Sequence, residues 1–189
     1  MALTAQQLFE KSGAVLSGHF LLTSGLHSPV YWEKFQVLQY PEYTQQLCGM
    51  IAAHFRDQNV QVVAGPTTGG VILAYDVGRQ MGVRGIFAEK VEGSSARAFR
   101  RGFIISPGER VLLVDDILTT GGSIQETIAP IKQSGGTLVG IGVLVDRSTK
   151  ALDFGVPLFS CVRSETVSYK AEDCPLCKAG IPLTKRGSS

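Results

Sequence analysis

The chain predicts an α/β fold: a central parallel sheet with helices on both faces, plus a small N-terminal or hood lobe. Three observations carry this. From about residue 60 onward, short apolar runs rich in β-branched residues alternate with stretches of helical periodicity. Those runs are nearly continuous in apolar residues, as strands covered on both faces are. The first third lacks the alternation and is broken by Ser-Gly and Ser-Pro pairs, so it reads as a separate lobe.

Taken in order, residues 3–11 have the spacing of a short amphipathic helix, stopped by Gly13. The stretch FLLTSGLHSPVYW (20–32) reads as a hairpin or irregular lobe. Pro41 can occupy a first helical turn, and Leu47, Met50, Ile51, His54 and Phe55 then recur at helical spacing as far as residue 58. Residues 60–64 predict a strand that stops at Gly65-Pro66, followed by a helix over 71–81 and a short strand over 86–88. Residues 89–102 are polar and rich in Gly, Ser and Arg without periodicity, the composition of a mobile loop. Strands are expected at 103–105 and 110–114, a helix at 123–134 closed by Gly135-Gly136, and further strands at 138–145 and 158–162. No repeat or linker interrupts the pattern, so residues 1–189 are expected to form one domain.

Composition narrows the function classes. With 44% hydrophobic and 18% charged residues, the chain has the material for a core. At this length roughly 70% of the unfolded surface can be buried without a disulfide or metal staple. A net charge of +2 gives no electrostatic case for nucleic acid. No apolar stretch approaches the roughly 20 residues of a membrane helix, and the N-terminus lacks the basic start and apolar run of a signal peptide. Four cysteines, Cys48, Cys161, Cys174 and Cys177, then read as reduced thiols of a cytoplasmic protein.

The chemistry concentrates in VLLVDDILTTGGS (111–123). An apolar strand ends in Asp115 and Asp116, and a hydroxyl- and Gly-rich loop opens a helix at Ser123. Ligands of open α/β sheets bind beyond the carboxyl ends of the strands. Unpaired N–H groups at the helix start favour a phosphate, Gly121 and Gly122 allow close backbone approach, and Thr119, Thr120 and Ser123 add hydroxyls. The two carboxylates can accept hydrogen bonds from the vicinal hydroxyls of a ribose. The plain alternative, surface acids beside an ordinary helix cap, explains either half but not both together.

This segment resembles the signature of type I phosphoribosyltransferases, which bind phosphoribosyl diphosphate (PRPP). The resemblance implies that Asp115, Asp116, Ile117, Leu118, Thr119, Thr120, Gly121, Gly122 and Ser123 hold the ribose 5-phosphate. GPTTGG (65–70) is similar to the family's diphosphate loop, which adds Thr68 and Gly69. Lys90 matches a family lysine and is implied, with the two acids, in catalysis. GHFLLTSGLHSPVYW (18–32) resembles the N-terminal lobe of the orotate members of the family, implying that Tyr31 and Trp32 enclose the base. Val145-Asp146-Arg147 looks like the strand end whose arginine, here Arg147, meets orotate together with Thr119. A guanidinium suits that task because it can grip a carboxylate with two parallel hydrogen bonds. The alternatives are core packing for one of the aromatics and an ion pair with Asp146 or Asp153 for Arg147.

The sequence departs from the orotate pattern in several places. Gly69 and Thr23 stand where lysines are common, Glu89 stands for an arginine, and the 89–102 insert offers Lys90, Arg97, Arg100 and Arg101 but no histidine. The diphosphate would then be neutralised by Lys90, an insert arginine, Mg2+ or a neighbouring subunit. Cys174-Pro-Leu-Cys177 is half of a zinc pattern, but no second CxxC or paired histidines accompany it and His19, His27 and His54 are distant in sequence. A plain reduced turn is expected there, and no protein side chain is expected to bind metal.

The resemblance implies transfer of phosphoribosyl from PRPP to orotate, with Mg2+ carried by PRPP, in a homodimer with no nucleic-acid or membrane partner. Two alternatives stay open: a phosphoribosyltransferase for another base, and a non-catalytic PRPP-sensing regulator.

Overall fold

The computed structural model describes residues 3–22, 24–164 and 168–186. Thr23 lies outside the described residues.

Helix α1 (Ala5–Lys11) opens on a capping box: the Thr4 hydroxyl accepts from the Gln7 N–H, and the Gln7 side-chain oxygen accepts from the Thr4 N–H. The segment 20–32 resolves its two expected readings as a hairpin. Strands β1 (Val15–Leu21) and β2 (His27–Trp32) pair antiparallel. Helix α2 (Lys34–Leu38) and helix α3 (Pro41–His54) follow, the latter extended by a 3-10 turn over Arg56–Gln58.

The main sheet then builds up from β3 (Val62–Pro66), helix α4 (Gly69–Met81), β4 (Arg84–Lys90), β5 (Arg97–Phe99), β6 (Arg110–Leu118), helix α5 (Gly122–Gln133), β7 (Thr137–Asp146) and β8 (Leu158–Arg163). Its strand order is β5-β4-β3-β6-β7-β8, parallel throughout except for the antiparallel edge strand β5. Alternate residues of one strand face opposite sides, and both sides are apolar. Val63, Leu112 and Val114 pack with α1, α3 and α4, while Val62, Ala64, Val111 and Leu113 pack with Ile124, Ile128 and Ile131 of α5. This is why the sequence runs read as continuous apolar stretches.

The C-terminal segment returns to the lobe. A short helix α6 (Pro175–Lys178) leads to β9 (Thr184–Lys185), which adds parallel to β1 and completes the small sheet β2-β1-β9. No helix of the described residues is long and apolar enough to cross a membrane.

Four expectations need correction. The insert is ordered as a hairpin: β5 pairs with β4 from Ala88↔Phe99 to Lys90↔Arg97, leaving only residues 91–96 between the strands. Residues 103–105 form no strand, because β5 already occupies the outer edge of β4; Ile104 is left 69% exposed. Strand β6 does not stop at the acids but runs on to Leu118, since β7 pairs with it as far as Leu118↔Asp146. The fourth concerns Cys174 and Cys177. They are not a plain turn: their sulfurs lie against His19 and His27, which the β1–β2 hairpin brings together from eight residues apart. Distance along the chain was a poor guide to distance in space. His54 stays apart, stacked on Phe159.

Candidate active site

The site forms where β3 and β6 end and the chain turns into helices. Asp115 and Asp116 are each 5% exposed. Asp115 accepts from the Ser123 hydroxyl at 2.6 Å and from the Asp116 N–H at 2.8 Å. Asp116 accepts from the Ile117 N–H at 2.7 Å, and the Lys34 ammonium sits 2.8 and 3.0 Å from its two oxygens. Burial, and next the charge of Asp116, push the Asp115 carboxyl well above the ordinary range; Ser123, the Asp116 N–H and Lys34 only partly oppose this. The fold by itself therefore tolerates a charge on Asp115 poorly, while Asp116 is paired with Lys34.

Gly121, with φ of +82°, turns the chain from Thr119 and Thr120 into α5, whose first turn carries no acidic residue. The N–H groups of its first turn, which have no partner within the helix, and its positive end thus lie next in the chain to the hydroxyls of Thr119 and Thr120.

Two adjoining cavities meet at Lys34, Ile117 and Thr119. The smaller, of about 280 Å³, is lined by Thr67, Thr68, Arg97, Asp115, Asp116 and Ser123 in addition. The larger, of about 480 Å³, is bounded by Tyr31, Trp32, Thr120, Arg147, Ser168 and Arg186. One side is thus rich in oxygen donors and acceptors, and the other is aromatic and cationic.

Arg147 supports the ligand reading over the ion pair. Among the described residues no carboxylate pairs with it: Asp146 faces Arg163 and the Ser148 N–H, and Asp153 accepts from Gly155. Its Nε is buried without a partner, and burial lowers the pKa of the guanidinium, marking a cation that lacks compensation. Tyr31 is half-buried against Phe20, and its hydroxyl pKa is raised by burial and then by Glu33. Trp32 has the packing role: it is 6% exposed, edge-on to Phe9, although its ring still borders the larger cavity and its Nε1 has no partner.

The two cavities bring together most residues that the sequence singled out. Thr68, Asp115, Asp116, Ile117, Thr119, Thr120, Ser123, Arg147, Tyr31 and Trp32 line one or both. Gly121, Gly122 and Leu118 line neither cavity: Leu118 is buried at the end of β6, and a Cβ on Gly121 would press on Phe154. Gly69 lines no cavity but explains a departure from the orotate pattern, since a Cβ there would overlap Asp116 Oδ2. Lys90 is exposed at the end of β4 and borders neither cavity. Of the other insert cations, Arg101 is held by Glu89 at 2.8 Å and Arg100 is exposed. Only Arg97 reaches the site. It is 8% exposed, paired with Glu126, and donates to the Thr67 carbonyl and hydroxyl.

Lys34, Arg186 and the positioning role of Arg97 were missed in the sequence. Lys34 follows Tyr31-Trp32-Glu33 directly, so its neighbourhood was a signal. Nothing near Arg186 marks it as part of a site.

Residues 36–174 match the phosphoribosyl transferase domain family. An orotate phosphoribosyltransferase of Pelotomaculum thermopropionicum is 52% identical over 181 residues, 96% of this chain and 94% of that protein. The crystal structure of orotate phosphoribosyltransferase from Aeropyrum pernix superposes with a TM-score of 0.66 at 27% identity, covering 85% of this chain and 94% of that one. An adenine phosphoribosyltransferase from Rhodothermus marinus gives the same TM-score of 0.66 at 20% identity, over 84% of this chain and 99% of that one, so the fold does not select the base. Sequence likeness over nearly its whole length decides the matter: the chain is a member of the orotate phosphoribosyltransferase family.

Proposed function

We propose that the chain transfers the 5-phosphoribosyl group of PRPP to orotate, giving orotidine 5′-monophosphate and diphosphate. The observation that carries this is the joining of two chemically different cavities at Lys34, Ile117 and Thr119. A donor that is a sugar diol with phosphates fits the smaller, and a flat anionic acceptor fits the larger.

In this reading Asp115 and Asp116 accept from the ribose hydroxyls while the 119–123 loop and the start of α5 hold the 5-phosphate. Thr67 and Thr68, steadied by Arg97, face the diphosphate. Lys34, already on Asp116, is the ammonium nearest both substrates and takes the part that the resemblance gave to Lys90. Arg147, with Thr119, orients the orotate carboxylate beside Tyr31, and Arg186 adds a second cation. Breaking the bond from the anomeric carbon to diphosphate builds positive charge on the ribose and negative charge on the leaving group. The buried carboxylates favour the first and the cations the second, so positioning and electrostatics replace a nucleophile. Mg2+ carried by PRPP would supply further neutralisation of the diphosphate, and a wall of carboxylate and hydroxyl oxygens suits so hard a cation. A homodimer in the cytoplasm belongs to the same proposal; none of the four cysteines forms a disulfide.

The test is a spectrophotometric assay of orotate consumption with PRPP and Mg2+, comparing wild type with Arg147→Ala. The expected outcome is activity in the wild type and a KM for orotate raised by about 10- to 100-fold in the variant, the loss of a charge-assisted hydrogen bond in a desolvated site. PRPP affinity by calorimetry should be nearly unchanged. Wild-type protein that binds PRPP but consumes adenine rather than orotate would overturn the assignment of the base.

A further inference from the structure

His19, His27, Cys174 and Cys177 line neither cavity, and the proposed reaction uses none of them. Each offers one ligand atom, and the four atoms all lie within 4.8 Å of one another. His19 Nε2 is 3.0 Å from His27 Nδ1, 3.5 Å from the Cys174 sulfur and 3.7 Å from the Cys177 sulfur; His27 Nδ1 is 3.3 Å from the Cys177 sulfur. Four ligands held about 2.0–2.3 Å from a tetrahedral Zn2+ stand roughly 3.3–3.8 Å apart. These four separations, 3.0–3.7 Å, lie near the edges of that tetrahedron, and all four atoms stay within 4.8 Å of one another, so small side-chain shifts would close them on an ion.

The surroundings agree with a metal site. His19 Nδ1 is 2.8 Å from the Ile181 carbonyl, a contact that needs an N–H there and leaves the Nε2 lone pair facing the cluster. Such a carbonyl is the usual outer partner of a ligating imidazole. His19, His27 and Cys174 are 3%, 5% and 0% exposed. Two imidazole nitrogens and the Cys174 thiol, gathered out of water beside the exposed Cys177 thiol, satisfy one another poorly, since sulfur is a weak hydrogen-bond partner. A dication binding two thiolates and two neutral imidazoles yields a neutral, fully satisfied unit, with the two thiol protons released to solvent.

Architecture gives the reason for it. Among the described residues of 168–186, Cys174 alone is buried. The segment has a four-residue helix and a two-residue strand and no apolar core of its own. Yet it supplies Ser168 and Arg186 to the larger cavity and bridges to His27 through Tyr169. Short segments of this kind need a staple.

We propose that His19, His27, Cys174 and Cys177 bind one structural Zn2+ that fastens the C-terminal segment to the β1–β2 hairpin. The ion takes no part in the chemistry, and its readouts do not require turnover.

The experiment measures the metal content of the purified full-length chain and replaces the ion with Co2+. Expected are one zinc per chain and, with cobalt, the visible bands and thiolate charge-transfer absorption of a tetrahedral S2N2 site. Cys177→Ser, at the exposed ligand, should lose the metal and the cobalt spectrum, whereas His54→Asn should keep both. Chelation of the wild type should lower its melting temperature. Protein prepared with added zinc that holds only traces of metal, with both thiols reacting as freely as in the unfolded chain, would overturn the proposal. So would an octahedral cobalt spectrum, or a Cys174–Cys177 disulfide in protein kept under reducing conditions.

Discussion

Asp115 shows how one residue sets a pH dependence in advance of any substrate. Its carboxyl is raised by burial and by Asp116. A raised carboxyl binds its proton more tightly folded than unfolded, so this group weakens the fold as pH climbs from the ordinary carboxylate range, near 4, to the raised value. Below that window there is no cost, and above it the full cost is present. Asp115→Asn removes the titration while keeping partners for Ser123 and the Asp116 N–H. The ligand-free variant should therefore melt a few degrees above wild type at pH 8 and close to it at pH 4.5, with turnover lost throughout. Equal melting differences at both pH values would contradict this.

Gly69 is the second residue-scale case. The lysine common at its position has no room here, because α4 begins against the Asp116 carboxylate. Gly69→Ala should displace that carboxylate from Lys34, costing about 1–3 kcal/mol of stability and about tenfold or more in PRPP affinity, readable by melting and calorimetry. The acids, the phosphate loop and Arg147 could be read from sequence because each lies in a local pattern, a strand end or a helix start. Lys34 carried a signal in its place beside Tyr31-Trp32, but its pairing with Asp116 is visible only in the fold, and Arg186 carried none, because only the return of the C-terminal segment brings it to the cavity of Tyr31 and Arg147.

At the scale of elements, the hairpin of β4 and β5 is better described as a brace than as a loose loop. Arg97 joins β5 to Thr67 at the end of β3 and to Glu126 on α5. Arg97→Ala leaves Glu126 without its cation and Thr67 without its donor. We expect a loss of about 1–3 kcal/mol in denaturant unfolding and weaker PRPP binding, with the orotate KM at saturating PRPP little changed. The hairpin was hidden in sequence because a three-residue strand carries too few positions to show a period of two. The reverse error occurred at 103–105, where three apolar or β-branched residues found no strand edge to join. Long elements fared differently: β6, β7, α3 and α4 were foreseen within a few residues, because a core that covers both sheet faces writes itself into every position.

At the scale of the molecule, α2 and α4 touch and leave large apolar side chains outside: Tyr75 is 70% exposed, Phe35 44% and Ile72 37%. The proposed homodimer, if built through this face, would cover these side chains. Tyr75→Glu is expected to shift the mass measured by light scattering from dimer toward monomer while the isolated chain keeps its melting profile. An unchanged mass would remove this face from the interface. Nothing local in the sequence distinguishes Tyr75 from a core tyrosine, since α4 has apolar residues around most of its circumference.

The closure of β9 on β1 bears on how the protein is made. The sheet, the paired acids and the phosphate loop are all encoded before residue 164, whereas the wall around Arg147 waits for Ser168 and Arg186. During synthesis the smaller cavity, the proposed donor side, is thus encoded in full while the larger one is still open. On the proposed reading, a chain interrupted before residue 168 would hold PRPP while lacking two residues of the wall that receives its acceptor.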